Sequence, residues 1–116
     1  MANYPLSPFR KVGDMIFVSG QIGQKDGKLV SEDIEGQTNR AIANITEILK
    51  QNGLELKDVA DVTAFITEQS DYEKFNEVYS KHFQEPYPAR TTVTVKSLPL
   101  NARVELKVVA SKELLK

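Results

Sequence analysis

A chain of 116 residues with 41% apolar content has enough for one ordinary globular core, expected as a single domain over residues 1–116, and a second domain is not expected. Its formal charge of −1, with 15 basic and 16 acidic residues interspersed, gives no electrostatic footprint for nucleic acid or an anionic membrane. The absence of cysteine excludes disulfides, thiol nucleophiles and cysteine metal sites, and a single histidine excludes histidine-rich zinc sites and two-histidine catalysis.

Residues 1–13 carry Pro5 and Pro8, which exclude a helix interior or a central strand. An extended lead-in and a turn at Gly13-Asp14 are expected there. No charged and apolar leader pattern opens the chain, and no apolar run approaches the ~18 residues of a membrane span, so a soluble cytoplasmic protein is the expectation. Met15-Ile16-Phe17-Val18 is a continuous apolar run suited to a strand buried on both faces. Helices on one side of the sheet would cover only one of those faces, which leaves the other to a partner such as a second subunit.

That run enters Ser19-Gly20-Gln21-Ile22-Gly23, where glycine permits either a bulge or the close approach of a ligand. A phosphate-binding loop is excluded, because Gly27-Lys28 is followed by Leu29. Asp26-Gly27 reads as a hairpin turn into a short strand over 28–30. From 33 to 52 the apolar spacing of Ile34, Ala41, Ile42, Ile45, Ile48 and Leu49 predicts a helix, with Asp33 as its cap and Gly53 as its stop.

The β-branched run over 59–67 predicts a strand. Ser70 and Glu73 have the spacing of a capping box for a second helix ending near Gln84, with Tyr72, Phe75, Val78, Tyr79 and Phe83 as its core stripe. His82, in that stretch, reads as a boundary residue rather than a catalyst. Pro86-Tyr87-Pro88 forces an extended connection. Two period-2 runs follow, Arg90 to Lys96 and Arg103 to Ala110, expected as a pair of neighbouring strands. In the first, Thr91, Val93 and Val95 are expected to face the core, and Arg90, Thr92 and Thr94 the other side. The order of elements predicts an α+β fold, a mixed sheet with two helices packed on one face.

The charged face of the last two runs carries one guanidinium and one carboxylate. Arg90 is suited to bidentate binding of a carboxylate, and Glu105, flanked by Val104 and Leu106, to activating or protonating a water from a raised pKa. The plainer reading is that both are interface or surface ion-pair residues. Paired as neighbours, the strands would hold the two groups on the order of 13 Å apart at ~3.3 Å per residue, so a shared site requires Arg90 of one chain to meet Glu105 of another, as in a cyclic oligomer.

The stretches Val12-Gly13-Asp14-Met15-Ile16-Phe17-Val18-Ser19-Gly20-Gln21-Ile22 and Asp71 through Tyr79, with Pro88-Ala89-Arg90-Thr91-Thr92-Val93, Leu98-Pro99 and Val104-Glu105-Leu106, resemble the reactive intermediate deaminase A family, also called the YjgF/YER057c/UK114 or endoribonuclease L-PSP family. The resemblance covers nearly the whole chain. It implies a chorismate-mutase-like homotrimer with a site in each cleft between subunits, no cofactor, and no metal. It implies hydrolysis of enamines and imines such as 2-aminoacrylate to 2-keto acids and ammonium. By position, Arg90 would clamp the substrate carboxylate, Glu105 would activate water, Ser19 and Gly20 would line the pocket, the Thr92 backbone would add a contact, and Asn76 would support the site. The family's tyrosine near the N-terminus is replaced here, the aligned triplet being Pro5-Leu6-Ser7.

Overall fold

The computed structural model describes residues 4–115. The lead-in becomes strand β1 (Phe9–Val12), which turns at Gly13, φ +56°, and pairs antiparallel with β2 (Met15–Ile22). Asp26 and Gly27 both take positive φ, the conformation of a tight two-residue hairpin, and join β3 (Gln24–Lys25) to β4 (Lys28–Leu29). Helix α1 (Ile34–Gln51) is capped as expected: the Asp33 carboxylate accepts from the Gly36 amide at 2.7 Å. After it come β5 (Val59–Ile66), helix α2 (Tyr72–Tyr79), β6 (Ala89–Thr94) and β7 (Val104–Ser111).

The main sheet has the order β1-β2-β7-β5-β6, with β6 parallel to β5 and every other pair antiparallel. Both helices lie on one face. Ile16, Val18, Val62, Leu106 and Val108 of the sheet pack there with Ile42, Ile45, Leu49 and Phe75 into a single buried cluster. The α+β architecture with helices on one face is therefore as the alternation of elements predicts. Among the described residues, no helix is long and apolar enough to cross a membrane.

The last two strands are not neighbours. β5 lies between them, pairing Val62 with Arg90 on one side and with Val108 on the other. The chain between Thr94 and Val104 steps across the end of β5, where Val95 donates to the Ile66 carbonyl at 2.8 Å and the Thr67 amide to the Arg103 carbonyl at 3.2 Å. β5 is buried on its core face at Val59, Val62, Ala64 and Ile66, and an apolar central strand needs hydrogen-bond partners on both edges.

The expected facing of β6 is also inverted. Arg90 and Thr92 share the helix-covered side with their register partners Val62 and Ala64, while Thr91 and Val93 point to the open side, where Val93 is exposed. The run Met15–Val18 is buried on one face only: Ile16 and Val18 are in the core, Met15 is exposed and Phe17 is half-buried.

α2 is shorter than its aromatic stripe predicts, ending at Tyr79. The next amides, of Lys81 and His82, bond three residues back in a tightening turn, and the Ser80 hydroxyl donates to the Glu77 carbonyl. The Ser70–Glu73 capping box does not form. Residue 70 lies in a 3₁₀ turn (Gln69–Asp71), the N-cap is Asp71, and its carboxylate instead takes a 2.8 Å bond from the Arg103 guanidinium.

Candidate active site

The residues singled out in the sequence fall into two separate groups. In the first, edge strand β6 places Arg90 against the aromatic face of α2. Its guanidinium carbon lies 4.7 Å from the ring centre of Tyr79, 5.4 Å from that of Phe75 and 6.0 Å from that of Tyr72. Cation–π contacts of this kind hold a guanidinium in place without neutralising it. Among the described residues no carboxylate forms an ion pair with Arg90. Thr92 follows on the same side of the strand, with a buried hydroxyl that has no hydrogen-bond partner. Asn76 lies one turn beyond Tyr72 and hydrogen-bonds its phenol, which, with the nearby Arg90 charge, holds that phenol below its ordinary pKa. Burial pushes the Tyr79 phenol up, to about 12, with Arg90 opposing. The aromatic stripe of α2 is thus core, as its spacing predicts, and also the support of Arg90. Helical spacing carries no sign of that second role, because Arg90 lies 11 residues beyond Tyr79, the last residue of the helix.

The second group sits where β2 meets β7. The pairing is regular up to Val18–Val108 and resumes at Gln21–Leu106, so Ser19 and Gly20 form a bulge. The Ser19 amide donates to the Pro8 carbonyl and its hydroxyl to the Ser7 carbonyl, which ties the N-terminal lead-in to the bulge. Gly20 faces Glu105 closely enough that an added Cβ would lie 2.8 Å from the carboxyl carbon and 2.9 Å from Oε2. The glycine is therefore required for room rather than for an unusual backbone angle. Burial raises the Glu105 pKa, and no salt bridge engages it among the described residues.

Replacing Gly20 with alanine is expected to displace the flexible end of Glu105 while the backbone stays in place. The melting temperature should change little, because only the flexible end of one side chain has to move, and thermal melts of the variant against the parent chain check this.

The start of β7 is fixed from behind. Gln37, 1% exposed, accepts from the Arg103 amide at 2.7 Å and donates to the Ser31 carbonyl at 3.0 Å. Gly23, at the end of this region, lets the sheet approach the Gln37 backbone, where a Cβ would clash at 2.5 Å. Glu105 is two residues past the Arg103 anchor, so its strand is held at the base while its side chain points to the open face.

Arg90 and Glu105 do not meet within the chain. Arg90 is opposite Val62 and Glu105 opposite Phe65, three residues along and two strand spacings across, about 10 Å in each direction. They also project from opposite faces of the sheet. An intrachain ion pair between them is excluded. Two surface grooves, one along α1 and one beside Pro86 and Pro88, share His82 and contain neither residue. His82 hydrogen-bonds Asn39 of α1 at 2.8 Å, in keeping with a boundary role.

Residues 1–112 match the model of the family described as Endoribonuclease L-PSP. A RutC family protein of Pyrococcus abyssi is 43% identical over 114 residues, covering 94% of this chain and 90% of that protein. The chloroplastic Reactive Intermediate Deaminase A of Arabidopsis thaliana is 38% identical, over 92% of this chain and 58% of that protein. A 2-iminobutanoate/2-iminopropanoate deaminase of Dermatophagoides farinae is 35% identical, over 92% and 88%. Among solved structures, E. coli TdcF with bound serine superposes with a TM-score of 0.89 at 32% identity, covering 97% of this chain and 91% of that one.

Proposed function

The chain belongs to the Endoribonuclease L-PSP family, which includes reactive intermediate deaminases, and from that premise we propose that it hydrolyses short-lived 2-imino acids and their enamine tautomers to 2-keto acids and ammonium. The observation that carries the reading is a pair of complementary half-sites that have no ion-pair partner among the described residues: a guanidinium stacked on aromatic rings at the sheet edge, and a part-buried carboxyl with a raised pKa on the open face. Each lacks what the other offers.

A homotrimer supplies the join, with Arg90 of one subunit facing Glu105 of the next and three equivalent clefts in all. The open face supports this assembly, since Val12, Met15 and Val93 are exposed there and Phe17, Phe65 and Val109 only half-buried. In each cleft Arg90 takes the substrate carboxylate in a two-pronged hydrogen bond, which directs the imine carbon toward the neighbour's Glu105. The substrate reacts as its protonated imine: the Glu105 carboxylate accepts a proton as water adds to that carbon, giving a neutral carbinolamine. It then returns that proton to the amino nitrogen, the C–N bond breaks, and the departing ammonia takes up the hydroxyl proton, so that keto acid and ammonium form. Ser19, Gly20, the Thr92 backbone and Asn76 line or support the cleft. The chemistry needs no cofactor or metal, and the small imino or keto acid is its ligand, with no role for nucleic acid or membrane.

One observation favours a second reading, a trimer that binds a small carboxylate without turnover. Leu6, where the family resemblance leads one to expect a tyrosine, is 66% exposed, and its apolar side chain brings no hydrogen-bonding group to the cleft. Generating 2-aminoacrylate with a dehydratase and following keto acid release separates the two. Acceleration above the spontaneous rate supports the hydrolase. Binding of 2-ketobutyrate with no acceleration, at a dose where an active relative accelerates, leaves only the binding protein.

A further inference from the structure

Tyr72 is the first residue of α2, and its phenol stands beside Arg90. Nη2 of Arg90 donates to the phenolic oxygen at 3.4 Å, with the ring centre 6.0 Å from the guanidinium carbon. A guanidinium has donors only, so the phenol's own proton is not used by Arg90. Tyr72 is 37% exposed, whereas Tyr79, closer to Arg90, is 6% exposed. Of the two tyrosines that contact Arg90, Tyr72 is the one with its hydroxyl at a surface a ligand can reach.

We propose that the Tyr72 hydroxyl is a second ligand of the substrate carboxylate, donating its proton to the acid group that Arg90 clamps. This rests on the carboxylate-clamp reading above and narrows its substrate class to molecules with an ionised acid next to the reacting carbon. An oxygen that receives hydrogen bonds from Arg90 and passes one on to the anion forms a short chain in which each bond polarises the next. An amide in place of the acid gains less from such a donor, because hydrogen bonds to charged acceptors are the stronger ones.

The test is calorimetric titration of wild type, Tyr72→Phe and Arg90→Ala with 2-ketobutyrate and with its amide, 2-oxobutanamide, alongside turnover and thermal melts. Phenylalanine keeps the ring over Arg90, so the fold should be retained. Tyr72→Phe should bind the acid about tenfold more weakly, raise KM by a similar factor, and change amide binding less than twofold. Unchanged acid binding in Tyr72→Phe, with Arg90→Ala losing it, overturns this inference and leaves the clamp intact. An equal loss for acid and amide also overturns it, as general damage to the pocket. A wild type that binds neither ligand and turns over no imine overturns the clamp and the inference together.

Discussion

Glu105→Gln should lower turnover by about 10²–10⁴-fold, the range for losing a positioned general acid–base, while 2-ketobutyrate binding changes little because Arg90 is untouched. The amide is close in size to the carboxyl, so the fit against Gly20 survives, and the loss reports proton transfer rather than packing. Its pH dependence has a definite sign. Burial raises the folded pKa of Glu105, so between the ordinary carboxyl value and the raised one the folded chain holds a proton that the unfolded chain has released. Wild-type stability therefore declines as pH rises through that window, and Glu105→Gln lacks this decline. Activity runs the other way, because attack by water needs the ionised carboxylate. Rate profiles and chemical denaturation at matched pH values would show the two limbs moving in opposite directions across one interval.

Arg90→Ala should abolish 2-ketobutyrate binding and raise KM by about 10²-fold or more, since it removes two charge-assisted hydrogen bonds from the carboxylate. Arg90→Lys should recover only part of this. Lysine keeps the charge but not the planar fork, and a compact ammonium stacks less well over Tyr79 and Phe75. The stability cost of Arg90→Ala should be about 1 kcal/mol, the scale of a partly exposed cation–π contact. Titration calorimetry and denaturant melts on the same preparations separate binding from folding. A variant that keeps full affinity would remove Arg90 from the site.

Periodicity located most elements because it reports which residues must be buried. It does not report which strand lies beside which, and here it failed. The runs over 90–96 and 103–110 look like a hairpin, yet β5 enters between them, and only the long-range demand of a buried central strand decides that. β6 was hardest to orient because it is an edge strand with threonines on both sides, so alternation gave no contrast between its faces. Arg90 faces the helices at the sheet's margin, where three aromatic rings receive its charge.

The missed cap has a similar cause. Ser70 and Glu73 have the right spacing, but Arg103, 32 residues beyond Asp71, sets the local arrangement through an ion pair that no short motif encodes. In contrast, the bulge at Ser19-Gly20 is legible in the sequence, whereas the close neighbour there is the chain's own Glu105 and not the ligand that the glycine suggests. The glycine's purpose, room for a carboxyl on another strand, emerges only when β7 is paired beside β2.

On the proposed reading, each site draws Arg90 from one subunit and Glu105 from another. Arg90→Ala and Glu105→Gln proteins, each strongly impaired alone, can be unfolded together, refolded as a 1:1 mixture and assayed for imine hydrolysis at a substrate concentration that saturates the wild type. Random reassociation gives about a quarter of the clefts an intact Arg90 facing an intact Glu105, and activity should return to about that fraction of wild type. A mixture no more active than the sum of its two components, with mixed oligomers verified by mass spectrometry, would contradict a site shared between chains.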